Sequence, residues 1–439
     1  MSNVNKIVLS LRPVAAVTAL MALNVLGAGT AWAGEDDSPL SLTFSENLTR
    51  DSNFSKDDSR KAGETISTTA AQFLLNKTYG RQNYEVDGTL SALRYKNFDQ
   101  LNNDGRNING GFTSGFLRDW TFRANGTYDE ALNAIQNNAT DDRLVRNIRK
   151  FRDTGTSIQY GRDGSLWAVA ATYDHNKQNY SLDAQKYQDA SQSTKGLKAM
   201  YFASDILQYS LGVRRVVTSY PNNPNYWKTV DRNLDLSTIL QITGLSNLSA
   251  TITKRRTEYT FVTDDTQSTG GWTGSLNWAY SPHGILRYSL GFTRTTGTDR
   301  SQTTRNQTVN PGDSSYGYGN DIVTSKINSD TTTTSLDAGV RADLTGKISA
   351  NVSYSVSQYK VSRAYDVNFK HSLDLSQGVE AAANSYNHSM GIGVNYAATR
   401  SLGFRCGYQR YSQTADYIAH LKYTGNAVDC SANFTLNPY

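Results

Sequence analysis

From Leu40 to Leu436 the chain is made of short segments in which every second residue is apolar. Leu40, Leu42 and Phe44 alternate with Ser41, Thr43 and Ser45; Tyr84, Val86, Gly88 and Leu90 repeat the pattern, as do Trp120, Phe122, Ala124, Gly126 and Tyr128. It returns from Trp167 to Tyr173, Leu207 to Val213, Leu234 to Ile242, Trp272 to Trp278, Leu286 to Phe292, Leu336 to Leu344, Ile348 to Val356 and Met390 to Tyr396. A period of two sends alternate side chains to opposite faces of a strand, so each segment has one oily face and one wet face. Recurrence of this pattern along the whole chain predicts an all-β fold.

The connections carry a second regularity. Short ones (Thr78 to Arg81, Leu117 to Asp119, Gly161 to Gly164, Ala203 to Asp205, Thr243 to Asn247, Ser281 to Gly284, Thr345 to Gly346, Ala398 to Ser401) alternate with long polar ones. The long ones run from Asn47 to Thr65, Lys96 to Arg106, Asp129 to Arg143, Asp174 to Ser193, Thr218 to Asp231, Lys254 to Ser268, Gly297 to Ser329, Ser362 to Ser385 and Tyr411 to Lys422. Short turns at one end and long loops at the other mark an antiparallel, up-and-down transmembrane β-barrel of the outer membrane, here with about 18 strands and both termini periplasmic. In hydrocarbon every backbone polar group must be paired within the protein, which strands achieve only by closing into a ring. Trp120, Tyr128, Trp278 and Tyr280, near strand ends, are expected in the girdles at the membrane surfaces. A soluble solenoid or propeller would need a fixed sequence repeat, and none is visible.

The N-terminus has the form of an export signal. Lys6 and Arg12 precede a mostly apolar stretch from Val14 to Gly27, and Ala31-Trp32-Ala33 before Gly34 is a small-x-small cleavage pattern. The stretch is shorter than the roughly 20 residues a spanning helix needs. Residues 1–33 are thus expected to be removed, leaving residues 34–439 as one barrel with no room for a separate plug or periplasmic domain.

Composition alone would have pointed elsewhere: 38% hydrophobic and 19% charged residues suit a soluble or disordered chain. Yet 27 Tyr, 34 Gly and only 7 Pro do not suit disorder, which is poor in aromatics. The formal charge of +5 falls to +3 once Lys6 and Arg12 leave with the signal, too balanced for a nucleic-acid partner.

At Tyr79-Gly80-Arg81-Gln82, with Tyr84, Val86 and Leu90, and again at Leu93-Arg94-Tyr95-Lys96-Asn97-Phe98, the chain resembles the EpsL-type exopolysaccharide biosynthesis outer-membrane proteins. The opening Leu42-Thr43-Phe44-Ser45-Glu46-Asn47-Leu48 is similar to that family's first strand and loop. One departure is Ser45-Glu46, where the family usually carries an acidic pair before the Asn. The resemblance implies a barrel associated with exopolysaccharide synthesis, with the polymer and its synthesis and export machinery as partners alongside outer-membrane lipids and lipopolysaccharide.

Candidate chemistry is sparse. His175, His283, His371, His388 and His420 are scattered among loops, one turn and one strand start, and no HExxH, CxxC, GxSxG or Walker-type motif occurs. No enzyme, metal or cofactor is therefore expected. Cys406 and Cys430 are the only cysteines. A final hairpin centred near Tyr417 or Ile418 places them opposite each other, as a disulfide in the oxidising periplasm or as two small apolar residues facing lipid.

The wet phase carries Arg123, Lys198, Arg214, Arg255, Arg287, Arg341 and Arg405 as lumen candidates, with Glu85, Asp87, Asp235, Asp337, Asp343 and Asp429 among them. They either favour anionic or neutral hydrophilic solutes in a water-filled channel or pair across strands and hydrate the wall. The barrel's last alternating residues are Phe434 and Leu436, and Pro438 shifts the terminal Tyr439 out of phase. Tyr316 and Tyr318, on the longest connection, offer ring faces for sugars or belong to a solvated loop. Arg143, Arg146, Arg149, Lys150 and Arg152 form a basic patch near the sixth strand. Three roles stay open: a conduit or scaffold for exopolysaccharide, a diffusion porin, and a sleeve around a partner protein.

Overall fold

A computed structural model describes residues 39–134, 144–161, 165–224, 226–261, 266–308, 320–369, 379–415 and 422–436. The signal segment, Tyr316, Tyr318, His371, His420 and Tyr439 lie outside them. Eighteen strands follow in chain order: β1 (Leu40–Asp51), β2 (Glu64–Tyr79), β3 (Gln82–Tyr95), β4 (Asn103–Phe116), β5 (Trp120–Leu132), β6 (Ile148–Tyr160), β7 (Trp167–Tyr180), β8 (Ala190–Ser204) and β9 (Leu207–Ser219). The second half comprises β10 (Tyr226–Thr243), β11 (Ser246–Phe261), β12 (Thr266–Tyr280), β13 (Leu286–Thr308), β14 (Asn320–Asp343), β15 (Ile348–Phe369), β16 (Val379–Ala397), β17 (Leu402–Ala415) and β18 (Tyr423–Leu436).

Each strand pairs antiparallel with its neighbours in sequence, and β1 pairs with β18 from Leu42↔Leu436 to Asp51↔Ala427, which closes the ring. The expected architecture and strand number are therefore those observed. Turns at one end are tight; the β2–β3 turn needs Gly80, whose φ of +59° lies in the left-handed region that favours glycine.

The oily phase faces outward and is bare. Leu48, Leu90, Leu197, Leu211 and Trp272 are each more than half exposed. A monomer in water does not expose so continuous an apolar surface, so this belt is the surface that meets lipid, as in an outer-membrane barrel. At the turn end it finishes in aromatic contacts: Phe116 stacks on Trp120, Trp120 meets Tyr160, Trp167 meets Tyr201, and Trp278, Tyr280 and Tyr288 form a row. Trp120, Trp278 and Tyr280 thus sit in one girdle, whereas Tyr128 lies towards the opposite rim. Phe434 and Leu436 continue the outward phase on β18.

Cys406 and Cys430 are register partners on β17 and β18, with Cα atoms 4.1 Å apart, and are joined by a disulfide. They share the outward phase of Phe404, Tyr408, Val428 and Phe434, so the bridge lies on the lipid side of the wall.

The long connections need correction. Much of what reads as loop is strand: β1 runs to Asp51, β7 to Tyr180, β13 to Thr308 and β15 to Phe369, and β14 starts at Asn320. His175 and His388 accordingly lie inside β7 and β16, and His283 lies in a turn. Above the membrane no lipid requires an oily face, so backbone pairing continues through Ser- and Thr-rich sequence without apolar alternation to reveal it.

Candidate functional site

The interior is the only large wet surface that the wall encloses. Arg123, Lys198, Arg214, Arg255, Arg287, Arg341, Arg405, Asp235 and Asp337 all stand in the phase opposite to the exposed apolar residues and face the lumen, as do Glu85, Asp87, Asp343 and Asp429. Several are held in pairs. Arg214 grips both oxygens of Asp235, which also accepts from Thr253 at 2.6 Å. Arg255 reaches Asp231 at 3.0 Å, and Arg287 and Arg341, opposite each other on β13 and β14, both lie 3.0 Å from Asp343. The more exposed pairs, those of Arg287 and Arg341 with Asp343, contribute roughly 0–1 kcal/mol each. They fix side chains against the wall more than they stabilise it.

Lys198 and Arg405 have no ion pair among the described residues, and Arg123 meets only Gln159 at 3.4 Å. These three are the cations of the candidate set that form no ion pair among the described residues. Between the charges the wall is lined with amides and hydroxyls. Asn109 donates to Asp87 at 3.0 Å and to Asn107 at 2.8 Å, Asn176 to Gln192 at 2.9 Å, Gln192 to Thr218 at 3.0 Å, and Gln409 to Ser389 at 2.7 Å.

The loop end of the barrel is narrowed by segments that fold inward. In the β1–β2 connection, Lys56 bonds Asp51 at 2.9 Å and sits 3.4 Å over the Tyr411 ring, while Tyr411 donates to Asp51. Burial pushes the Lys56 ammonium below its ordinary pKa, a shift that Asp51 partly offsets. Phe54 from the same connection stacks on Phe98 and meets Tyr95. Leu101, in the one-turn helix Asp99–Leu101, is fully buried beside Tyr95, with Phe54, Ile66, Leu93, Phe98, Leu132 and Leu144 around it.

Glu64 holds this assembly in place. It is 2% exposed, and its carboxylate accepts backbone N–H groups from Thr65 at 2.6 Å, Lys96 and Asn97 at 3.0 Å, and Phe98 at 2.9 Å. The Lys96 N–H also donates to Thr65 O at 3.1 Å, so the donors of the β3–β4 connection that depend on this side chain are those of Asn97 and Phe98. Farther round the rim, buried Asn147 donates to Gln185 in the helical segment Asp183–Gln188 at 3.2 Å and accepts from the backbone of Leu182. Asp189 accepts from Tyr180 N and Asn222. Sequence reading missed Glu64, Asn147 and Gln185 because each lies in or beside a polar stretch that looks solvated.

A second narrowing comes from β13. Its pairing with β12 ends at Gly274↔Arg294, but its pairing with β14 runs on to Thr308↔Asn320. Beyond that point β13 passes on the lumen side of β12. Lumen-facing Arg255 donates to Thr296 O at 3.2 Å, and a Cβ on lumen-facing Gly271 would meet Thr296 Oγ1 at 2.9 Å. Thr257, Tyr259 and Phe261 of β11 follow Arg255 in the same phase and are almost fully buried, as a covered wall must be. The glycine is what admits the close approach. Gly271→Leu is expected to wedge the β13–β14 hairpin off the wall and to raise single-channel conductance in a planar bilayer; unchanged conductance would place the hairpin outside the ion path.

No group of His, Cys, Asp and Glu side chains among the described residues could hold a metal ion. No family model matches the chain, and no curated protein matches it. Among solved structures the chain is similar to the FrpB iron transporter from Neisseria meningitidis, at 10% identity and TM-score 0.46 over 91% of this chain and 83% of that one. It is also similar to OccK2 of Pseudomonas aeruginosa, at 13% identity and TM-score 0.46 over 91% and 98%. A third is the siderophore receptor PirA of Pseudomonas aeruginosa, at 11% identity and TM-score 0.38 over 90% and 80%. Likeness at this level assigns no function.

Proposed function

We propose that this protein is a non-enzymatic outer-membrane conduit for hydrophilic, carbohydrate-like material, serving exopolysaccharide export as a passive passage or as the outer-membrane scaffold of the synthesis complex. The observation that carries the reading is the lumen wall, where Asn, Gln, Ser and Thr run in hydrogen-bonded bands between ion pairs. Amides and hydroxyls exchange hydrogen bonds with a polyol at little cost, because each can donate or accept. The exopolysaccharide itself comes from the resemblance at Tyr79 to Gln82 and Leu93 to Phe98. Lipopolysaccharide and the polymer's synthesis and export machinery are the partners this reading requires.

The unpaired Lys198 and Arg405 favour a second reading, a diffusion porin with a mild preference for anions. Deleting the gene separates the two. Polymer retained in the periplasm supports the conduit; normal polymer with altered uptake of small solutes supports the porin; and a purified barrel that never conducts in a planar bilayer removes both and leaves a scaffold or sleeve.

A further inference from the structure

The outward phase changes character at the loop end. Below, it is apolar apart from Glu46; at the rim it becomes charged, with Arg50, Arg106, Arg152, Lys177, Arg294 and Arg410 standing among a smaller number of carboxylates such as Asp104 and Glu130. The distance along each strand is similar. Arg50 lies ten residues from Leu40, Lys177 ten from Trp167, and Arg294 and Arg410 eight from Leu286 and Leu402. A tilted strand crosses the hydrocarbon in roughly 9–11 residues, so these cations stand where the hydrocarbon ends. The opposite edge carries the aromatic row instead.

On four adjacent strands the arrangement is stricter. Lys195 of β8 pairs in register with Arg215 of β9, Arg215 with Arg232 of β10, and Arg232 with Arg256 of β11. All four are exposed and point outward. Paired strands lie about 4.8 Å apart, so this is a row of like charges set side by side, which destabilises a sheet. One carboxylate serves the row: Glu258 lies 2.5 Å from Arg232 and 3.9 Å from Arg256. Lys195 and Arg215 have no acidic partner among the described residues. Directly beneath, Leu197, Val213 and Leu234 form a paired apolar row on β8 to β10, each about half exposed, and Lys254 of β11 ends the row with a further cation.

A row of cations above a row of bare aliphatic side chains matches a lipid with anionic groups at its head and acyl chains below. We propose that the outer face of β8 to β11 is a binding site for the phosphate groups of lipid A, the anionic lipid of the outer leaflet; this rests on the outer-membrane location proposed above. The phosphates bridge Lys195, Arg215, Arg232 and Arg256 and remove the repulsion within the row, and acyl chains cover Leu197, Val213 and Leu234.

The test is equilibrium binding of bisphosphorylated lipid A to the purified barrel in nonionic detergent. Each cation near an anionic lipid surface is worth about a factor of five in affinity, so K195Q/R215Q is expected to bind roughly thirtyfold more weakly than wild type. R118Q/R400Q, which removes the same charge at the periplasmic turns, should bind as wild type does. Dephosphorylated lipid A should bind weakly to all three. Wild-type affinity in K195Q/R215Q, or equal binding of the dephosphorylated lipid by the wild-type protein, overturns the proposal. The dephosphorylated arm decides the matter even if the double variant fails to fold. Conductance of the same samples reads the conduit separately: a barrel that conducts without phosphate preference loses only this site, and one that binds lipid A without conducting loses only the conduit.

Discussion

Glu64→Ala is expected to free the β3–β4 connection from the mouth and to cost at least about 2 kcal/mol of local stability, since the buried donors of Asn97 and Phe98 lose their acceptor at roughly 1–3 kcal/mol each. The side chain satisfies backbone N–H groups of Thr65, Lys96, Asn97 and Phe98 from a position that is 2% exposed. Its loss also undermines the packing of Leu101 and Phe98 against Phe54 and Tyr95. Hydrogen exchange at Asn97 and Phe98 should accelerate by more than about one order of magnitude, following the conversion of about 1.4 kcal/mol per decade. Glu64→Gln keeps two lone pairs on one oxygen but loses the charge, so its effect should be intermediate. Exchange at wild-type rates in Glu64→Ala would show that the connection is held by its apolar contacts alone.

The second large effect belongs to the seam. Cys406 and Cys430 are 24 residues apart in sequence and join β17 to β18, the strand that closes the ring on β1. Cross-linking a loop of that size is worth roughly 3 kcal/mol in the chain-entropy description. The double variant C406S/C430S is expected to unfold from detergent at a lower urea concentration than the oxidised wild type, and reductant should shift the wild type towards the variant. Coincident unfolding curves would mean that strand pairing alone fixes the seam. Because the bridge faces lipid, reduction should leave conductance unchanged.

The apolar phase predicted the membrane-spanning part well because lipid imposes one rule on every strand: an oily residue at each second position. Where that rule lapses, the reading lost resolution. Gly297 to Ser329 looks like a loop because Thr, Ser, Asn and Asp alternate with each other, yet β13 and β14 remain paired from Thr296↔Thr332 to Thr308↔Asn320. By the same pattern the connections Asp129 to Arg143 and Tyr411 to Lys422 begin several residues before β5 and β17 end. For the lumen, phase placed Arg214 and Asp235 on the same face, but not against each other. Arg214 stands opposite Asn233 and reaches diagonally to Asp235, a contact set by register and side-chain length.

The sequence by itself determined the all-β class, the up-and-down order of about 18 strands, and which side chains face lipid and which face water. Each follows from local spacing, because a strand has a period of two and hydrocarbon tolerates only closed pairing. Register and the paths of the connections belonged to the tertiary structure. Only there did Arg287 and Arg341 converge on Asp343, Glu64 meet four backbone donors, and β13 cross inside β12 at Gly271. Only there did Lys195, Arg215, Arg232 and Arg256 fall into one row. The reason is that these contacts join residues far apart in the chain, and one step in strand register would replace every partner while leaving local composition unchanged.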